Sequence, residues 1–124
     1  MVVASLIDSG PAGVWAEHIL ETQPLVAPHL MPVEVANILR RASVARTISR
    51  DAASMAYSTL TMLPVELIPF APLADRIWEL RSNVTAYDAW YVALAETLDL
   101  SLATLDLRLA QAPGTRCAFL LPPA

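Results

Sequence analysis

The run Thr85-Ala86-Tyr87-Asp88-Ala89-Trp90-Tyr91-Val92-Ala93-Leu94-Ala95-Glu96-Thr97-Leu98 and, just beyond it, Ser101-Leu102-Ala103-Thr104-Leu105-Asp106 decide the fold class. The first segment carries Tyr87, Tyr91, Leu94 and Leu98 at helical spacing. Thr85 followed by Asp88 matches a capping box and marks where that helix starts. The second segment is a short apolar run with little alternation, as a strand covered on both faces requires. Each segment also places an acid at a strategic point. Asp88 falls in the first helical turn, and Asp106 directly follows the strand.

The same alternation continues outward along the chain. Apolar runs at residues 25–27, 65–70 and 117–121 are expected strands; Glu66 and Pro69 put the second nearer an edge. Helical patterns cover residues 12–20, 32–46, 49–63 and 72–81. Pro32 suits a first helical turn, and Ser49 suits an N-cap. Expected inward residues are Val35, Ile38, Leu39 and Ala42 in one helix and Ala52, Met55, Ala56, Thr59 and Leu63 in the next. Leu73, Ile77, Trp78 and Leu80 carry the apolar pattern of residues 72–81. A short helical turn follows Asp106. Strands alternating with helices make an α/β domain with a small parallel sheet. The helices between residues 32 and 63 make it helix-rich.

Composition narrows the function. The chain has 124 residues, so one domain over residues 1–124 is expected. At 56% hydrophobic and 16% charged it is too apolar for a disordered chain. Its apolar stretches are too broken by proline and polar residues for a membrane span, and residues 1–7 lack a basic leader, so a cytoplasmic location is the default. The single cysteine, Cys117, excludes an internal disulfide and a cysteine-rich zinc site. All eight basic residues are arginines, which removes Schiff-base and P-loop chemistry. Three glycines leave no room for a dinucleotide-binding loop. A net charge of −4 argues against a passive nucleic-acid coat but not against an enzyme whose acids hold metal.

The acids sort by position. Glu34 lies in a first helical turn, as does Asp88, and Asp106 directly follows a strand. In a parallel sheet, strand carboxyl ends and the helix starts beyond them share one edge, where ligands bind. Glu34, Asp88 and Asp106 are therefore expected to converge. Converging carboxylates repel, and each must protonate or find a cation. Mg²⁺ or Mn²⁺ answers this need, with phosphodiester cleavage as the matching chemistry. Each acid also has a plainer role: Glu34 favoured by the helix dipole, Asp88 in a capping box, Asp106 as an N-cap. Asp51, Asp75, Glu79 and Glu96 read as solvated helix charges. Cys117 reads as buried rather than reactive, and Trp15, Trp78 and Trp90 as core rather than base-stacking platforms. Arg40, Arg41 and Arg81 are candidate guides for a phosphate backbone.

Three stretches carry a family resemblance: residues 27–41 around Val33-Glu34-Val35-Ala36-Asn37, residues 80–96 around Tyr87-Asp88-Ala89-Trp90-Tyr91, and residues 102–110 around Thr104-Leu105-Asp106. The chain resembles PIN-domain ribonucleases, specifically VapC toxins of type II toxin–antitoxin pairs. The resemblance implies a three-layer PIN fold and an endoribonuclease dependent on Mg²⁺ or Mn²⁺. It also implies a VapB-like antitoxin partner and a homodimer. Glu34, Asp88 and Asp106 match the family's second, third and fourth acids. Thr104 matches a hydroxyl residue that supports the water at the metal site. Asn83 matches a polar position without an assigned role. On this reading RNA is cut to leave a 5′-phosphate and a 3′-hydroxyl. The alternative is a degenerate, non-cleaving domain that only binds antitoxin.

One departure stands out. The family opens with a central strand ending in an acid, and Met1-Val2-Val3-Ala4-Ser5-Leu6-Ile7 resembles the segment after it. A late-assigned start, a genuine truncation, or residues 1–7 acting as the strand with Asp8 as the acid would each account for this. Truncation or misassignment is the expectation. It implies an exposed sheet edge, an aggregation-prone chain and weakened metal binding.

Overall fold

The computed structural model describes residues 10–123. Residues 1–7 and Asp8, invoked above as a possible opening strand and acid, lie outside the described residues. The element order is α1 (Pro11–Thr22), β1 (Leu25–Pro28), α2 (Met31–Val44), α3 (Arg50–Met62), β2 (Val65–Ile68), a 3₁₀ turn (Ala71–Leu73), α4 (Ala74–Glu79), α5 (Ala86–Leu98), β3 (Leu102–Ala103), α6 (Leu107–Ala110) and β4 (Phe119–Leu120). The mixed α/β class is as expected. The strands form two two-stranded sheets, β1 with β2 and β3 with β4. β3 and β4 are parallel, in the register Leu102 to Phe119 and Ala103 to Leu120.

The chain divides into two compact units, one from residues 10–25 and Leu30–Glu66, the other from Val26–His29 and residues 67–123. In the first unit α2 and α3 pack on each other. Pro32 sits in the first turn of α2, where a missing N–H costs nothing. Ser49 caps α3, its hydroxyl accepting from the Ala52 N–H at 3.0 Å. The buried positions are Met31, Val35 and Leu39 on α2 and Ala53, Ala56 and Leu60 on α3. This corrects the expected inward face of α3 by about one residue, and Met55 is 72% exposed. α3 intersperses alanine and larger apolar residues with serine, threonine and charged residues around its circumference, so periodicity alone does not fix its phase. It buries Ala53 and Ala56 with Leu60 and turns Met55, Tyr57 and Met62 outward, and small residues at the contact let two helices approach closely.

In the second unit, Leu73, Ile77, Leu80, Ala89, Val92, Ala93, Leu94 and Leu109 form one buried cluster. Val26, Ile68, Leu102 and Phe119 of the strands pack on it. Burying a side chain such as Leu80 or Val92 contributes roughly 1.5–3 kcal/mol. α5 buries Ala89, Val92, Ala93, Leu94 and Ala95, whereas Tyr87 and Leu98, expected inward, are exposed. Trp90 packs edge-on against Phe70 at 5.5 Å, inside the unit as expected. Trp78 does not follow; it is 67% exposed. α5 ends where Asp99 turns left-handed (φ 53°) and the Leu100 N–H returns to the Ala95 carbonyl at 2.8 Å. Among the described residues, no helix is long and apolar enough to cross a membrane.

Candidate active site

Capping places the carboxylates of the second unit. Thr85, in extended conformation, accepts the Asp88 N–H on its hydroxyl at 3.2 Å and starts α5. Asp88 is thereby fixed in the first turn and is half-buried. Asp106 caps α6 itself, its Oδ1 accepting from the Arg108 N–H at 2.9 Å and the Leu109 N–H at 3.3 Å. The buried Thr104 ties this cap to the sheet. Its hydroxyl accepts the Asp106 N–H at 3.0 Å, and its own N–H donates to the Leu120 carbonyl at 3.0 Å. The plain structural roles expected of Asp88 and Asp106 are therefore real, and they aim both side chains into one place.

That place is an open cleft of about 580 Å³. Arg81, Asn83, Thr85, Asp88, Asp106 and Arg108 line it. Burial and then the charge of Asp106 push the Asp88 carboxyl above the ordinary aspartate range, with the Thr85 side chain opposing. Two carboxylates in one cleft, one of them disfavoured as an anion, form a site that gains from a cation. Oxygen donors of this kind suit a hard divalent ion.

Glu34 stands in the first unit, half-buried in the first turn of α2, with its N–H donating to the Leu30 carbonyl at 3.0 Å. Among the described residues no three His, Cys, Asp or Glu side chains are gathered to hold an ion. What the structure brings together is Asp88, Asp106 and Thr104, with Asn83 and Arg81 beside them. Arg40 and Arg41 are exposed on α2.

The PIN domain family model matches residues 2–114, a span that includes every one of these residues. The chain belongs to the PIN-domain family. Within it the chain stands with the VapC proteins. Ribonuclease VapC1 of Mycobacterium tuberculosis (strain ATCC 25618 / H37Rv) is 42% identical over 121 residues, 97% of this chain and 91% of the relative. VapC ribonuclease Mb0985 of Mycobacterium bovis is 36% identical, covering 98% of this chain and 92% of its own. Ribonuclease VapC12 of Mycobacterium tuberculosis is 38% identical over 104 residues, 84% of this chain and 81% of the relative.

Sequence reasoning missed one group in this PIN domain. Glu96, read as a solvated helix charge, accepts Arg76 Nε at 2.7 Å and Nη2 at 3.1 Å, and the Arg116 N–H at 2.7 Å. Arg76 also donates to the Gly114 carbonyl at 2.8 Å. These bonds hold its carboxyl below the ordinary glutamate range, the Arg76 hydrogen bonds most of all. The network ties α4, α5 and the loop before β4, and Gly114 in that loop lies against Asn83 of the cleft. A spacing of twenty residues between Arg76 and Glu96 leaves no local pattern that could have revealed it. Cys117 is half-buried and burial pushes its thiol up, which agrees with an unreactive cysteine.

Proposed function

We propose that this chain is the toxin of a toxin–antitoxin pair, an endoribonuclease that cleaves RNA phosphodiesters with the help of Mg²⁺ or Mn²⁺. The observation that carries the proposal is the Asp88–Asp106 pair in one cleft, with the Asp88 charge disfavoured by burial and by its neighbour. The three relatives' names and the family favour this over a domain that only binds. In the proposal Asp88, Asp106 and Glu34 hold the ion. When bound, such an ion neutralises the carboxylates and makes a water more acidic at neutral pH.

The chain's own groups do the rest. Thr104 and the α6 cap fix the backbone at Asp106, so its carboxylate keeps one orientation without reorganising. Arg81 and Arg108, at the rim of the same cleft, bind the anionic RNA backbone, for which guanidinium is well shaped. Asn83 adds a neutral donor and acceptor there. A VapB-like antitoxin, a homodimer and a cytoplasmic site of action complete the proposal, on the resemblance to VapC toxins.

The test is cleavage of a structured RNA with Mg²⁺ or Mn²⁺, with EDTA, and with Asp88→Asn. We expect EDTA to abolish cleavage and fresh metal to restore it. Asp88→Asn should lower the rate at least about 100-fold, the upper end of what losing even a supporting group costs at a metal centre. Cleavage that persists in Asp88→Asn or in EDTA would overturn the proposed site.

A further inference from the structure

Trp78, in the last turn of α4, is a large indole left 67% exposed beside the cleft's own arginine. Aromatic burial is among the largest sources of core stability, so an indole left in water calls for a partner. One face is already engaged. Arg81 Cζ lies 4.6 Å from the indole centroid, and Arg81 Nη1 donates to the Trp78 carbonyl at 2.8 Å. That bond holds the guanidinium over the ring and uses one of its five N–H donors. The same Arg81 lines the cleft that holds Asp88 and Asp106. The stacked pair is therefore continuous with the carboxylates through a single side chain.

We propose that Trp78 and Arg81 form a nucleotide platform, on which an unpaired base of the RNA stacks while Arg81 meets the adjoining phosphate. This rests on the ribonuclease reading of the cleft. Single-stranded RNA is recognised by stacking of splayed bases on aromatic rings and guanidinium planes. Charge supports the same occupant. The chain carries a net charge of −4, so a polyanion gains little from its overall field. It must be received where cations are local, and Arg81 and Arg108 are the cations lining this cleft. The platform selects for an unpaired nucleotide rather than for a particular base, because every base offers a stacking face.

The experiment measures binding of a fluorescein-labelled oligouridylate by anisotropy in EDTA, which separates binding from cleavage. A matched oligomer with abasic riboses is the second probe. Trp78→Ala and Trp78→Leu should each weaken oligouridylate binding about tenfold, the range expected for one stacked base. Trp78→Phe should retain most of it. The abasic oligomer should bind wild type and Trp78→Ala alike. Equal oligouridylate affinity in wild type and Trp78→Ala overturns the platform, as does an equal loss for the abasic oligomer. Unchanged affinity with a dimer-to-monomer shift on gel filtration overturns it by giving the indole to a second copy. If wild type binds neither oligomer the platform falls, and cleavage blocked by Asp88→Asn still decides the ribonuclease reading separately.

Discussion

At Gly114 the backbone turns through φ +85°, and a β-carbon placed there would lie 2.7 Å from Asn83 Nδ2. Any other L residue is strained in that conformation by about 1–2 kcal/mol. Asn83 is the far end of a short flexible side chain, so Gly114→Ala displaces it rather than the backbone. Asn83 lines the acidic cleft, so the displacement reaches the site. Gly114→Ala should therefore lower thermal stability modestly and slow RNA cleavage. In an Asn83→Ala background the same substitution should keep its stability cost and lose its further effect on rate. A double-mutant cycle on cleavage and melting checks this; additive rate effects would mean that Gly114 does not act through Asn83.

Among the elements, the bonds from Glu96 link α4, α5 and the loop before β4. The side chains of Arg76 and Glu96 are only 20% and 13% exposed, so solvent screens the pair weakly. The folded-state pKa of Glu96 is depressed. Its contribution to stability is therefore present above the ordinary glutamate value and is lost as pH falls through the folded value. Glu96→Gln should cost about 2 kcal/mol at neutral pH. It should also flatten the acid limb, so that the urea midpoints of wild type and variant converge as pH is lowered from 7 toward 3. A constant gap across that range would show that the carboxylate charge contributes nothing. This network also marks the limit of what the sequence reveals. The caps at Ser49, Thr85 and Asp106 and the helix starts are local, and local spacing announces them. Element phase was less legible: α3 and α5 are rich in alanine, and periodicity does not say which side of such a helix meets its neighbour. Trp78 was misread for a related reason. An indole at a helical apolar position predicts burial, but the adjacent Arg81 holds a guanidinium over the ring, which is not a pattern of hydrophobicity.

For the molecule as a whole, the proposed acid set adds Glu34 to Asp88 and Asp106. Two readings of Glu34 make different demands. A carboxylate that only favours the α2 dipole contributes about 0.3–1 kcal/mol, and its loss leaves chemistry untouched. A carboxylate that holds the ion with Asp88 and Asp106 acts as part of one unit, and such groups are strongly non-additive. Glu34→Gln should then reduce cleavage at least about 100-fold, with little change in melting temperature. It should also raise the Mn²⁺ concentration needed for half-saturation, measured calorimetrically without RNA. The double variant Glu34→Gln/Asp88→Asn should be no slower than the slower single variant, because once the ion is lost its remaining ligands have nothing left to lose. Full activity in Glu34→Gln, with or without a melting change, would assign Glu34 to the helix and leave Asp88 and Asp106 as the acids of the site; multiplicative losses would show that Glu34 acts on the rate other than as a ligand of the shared ion.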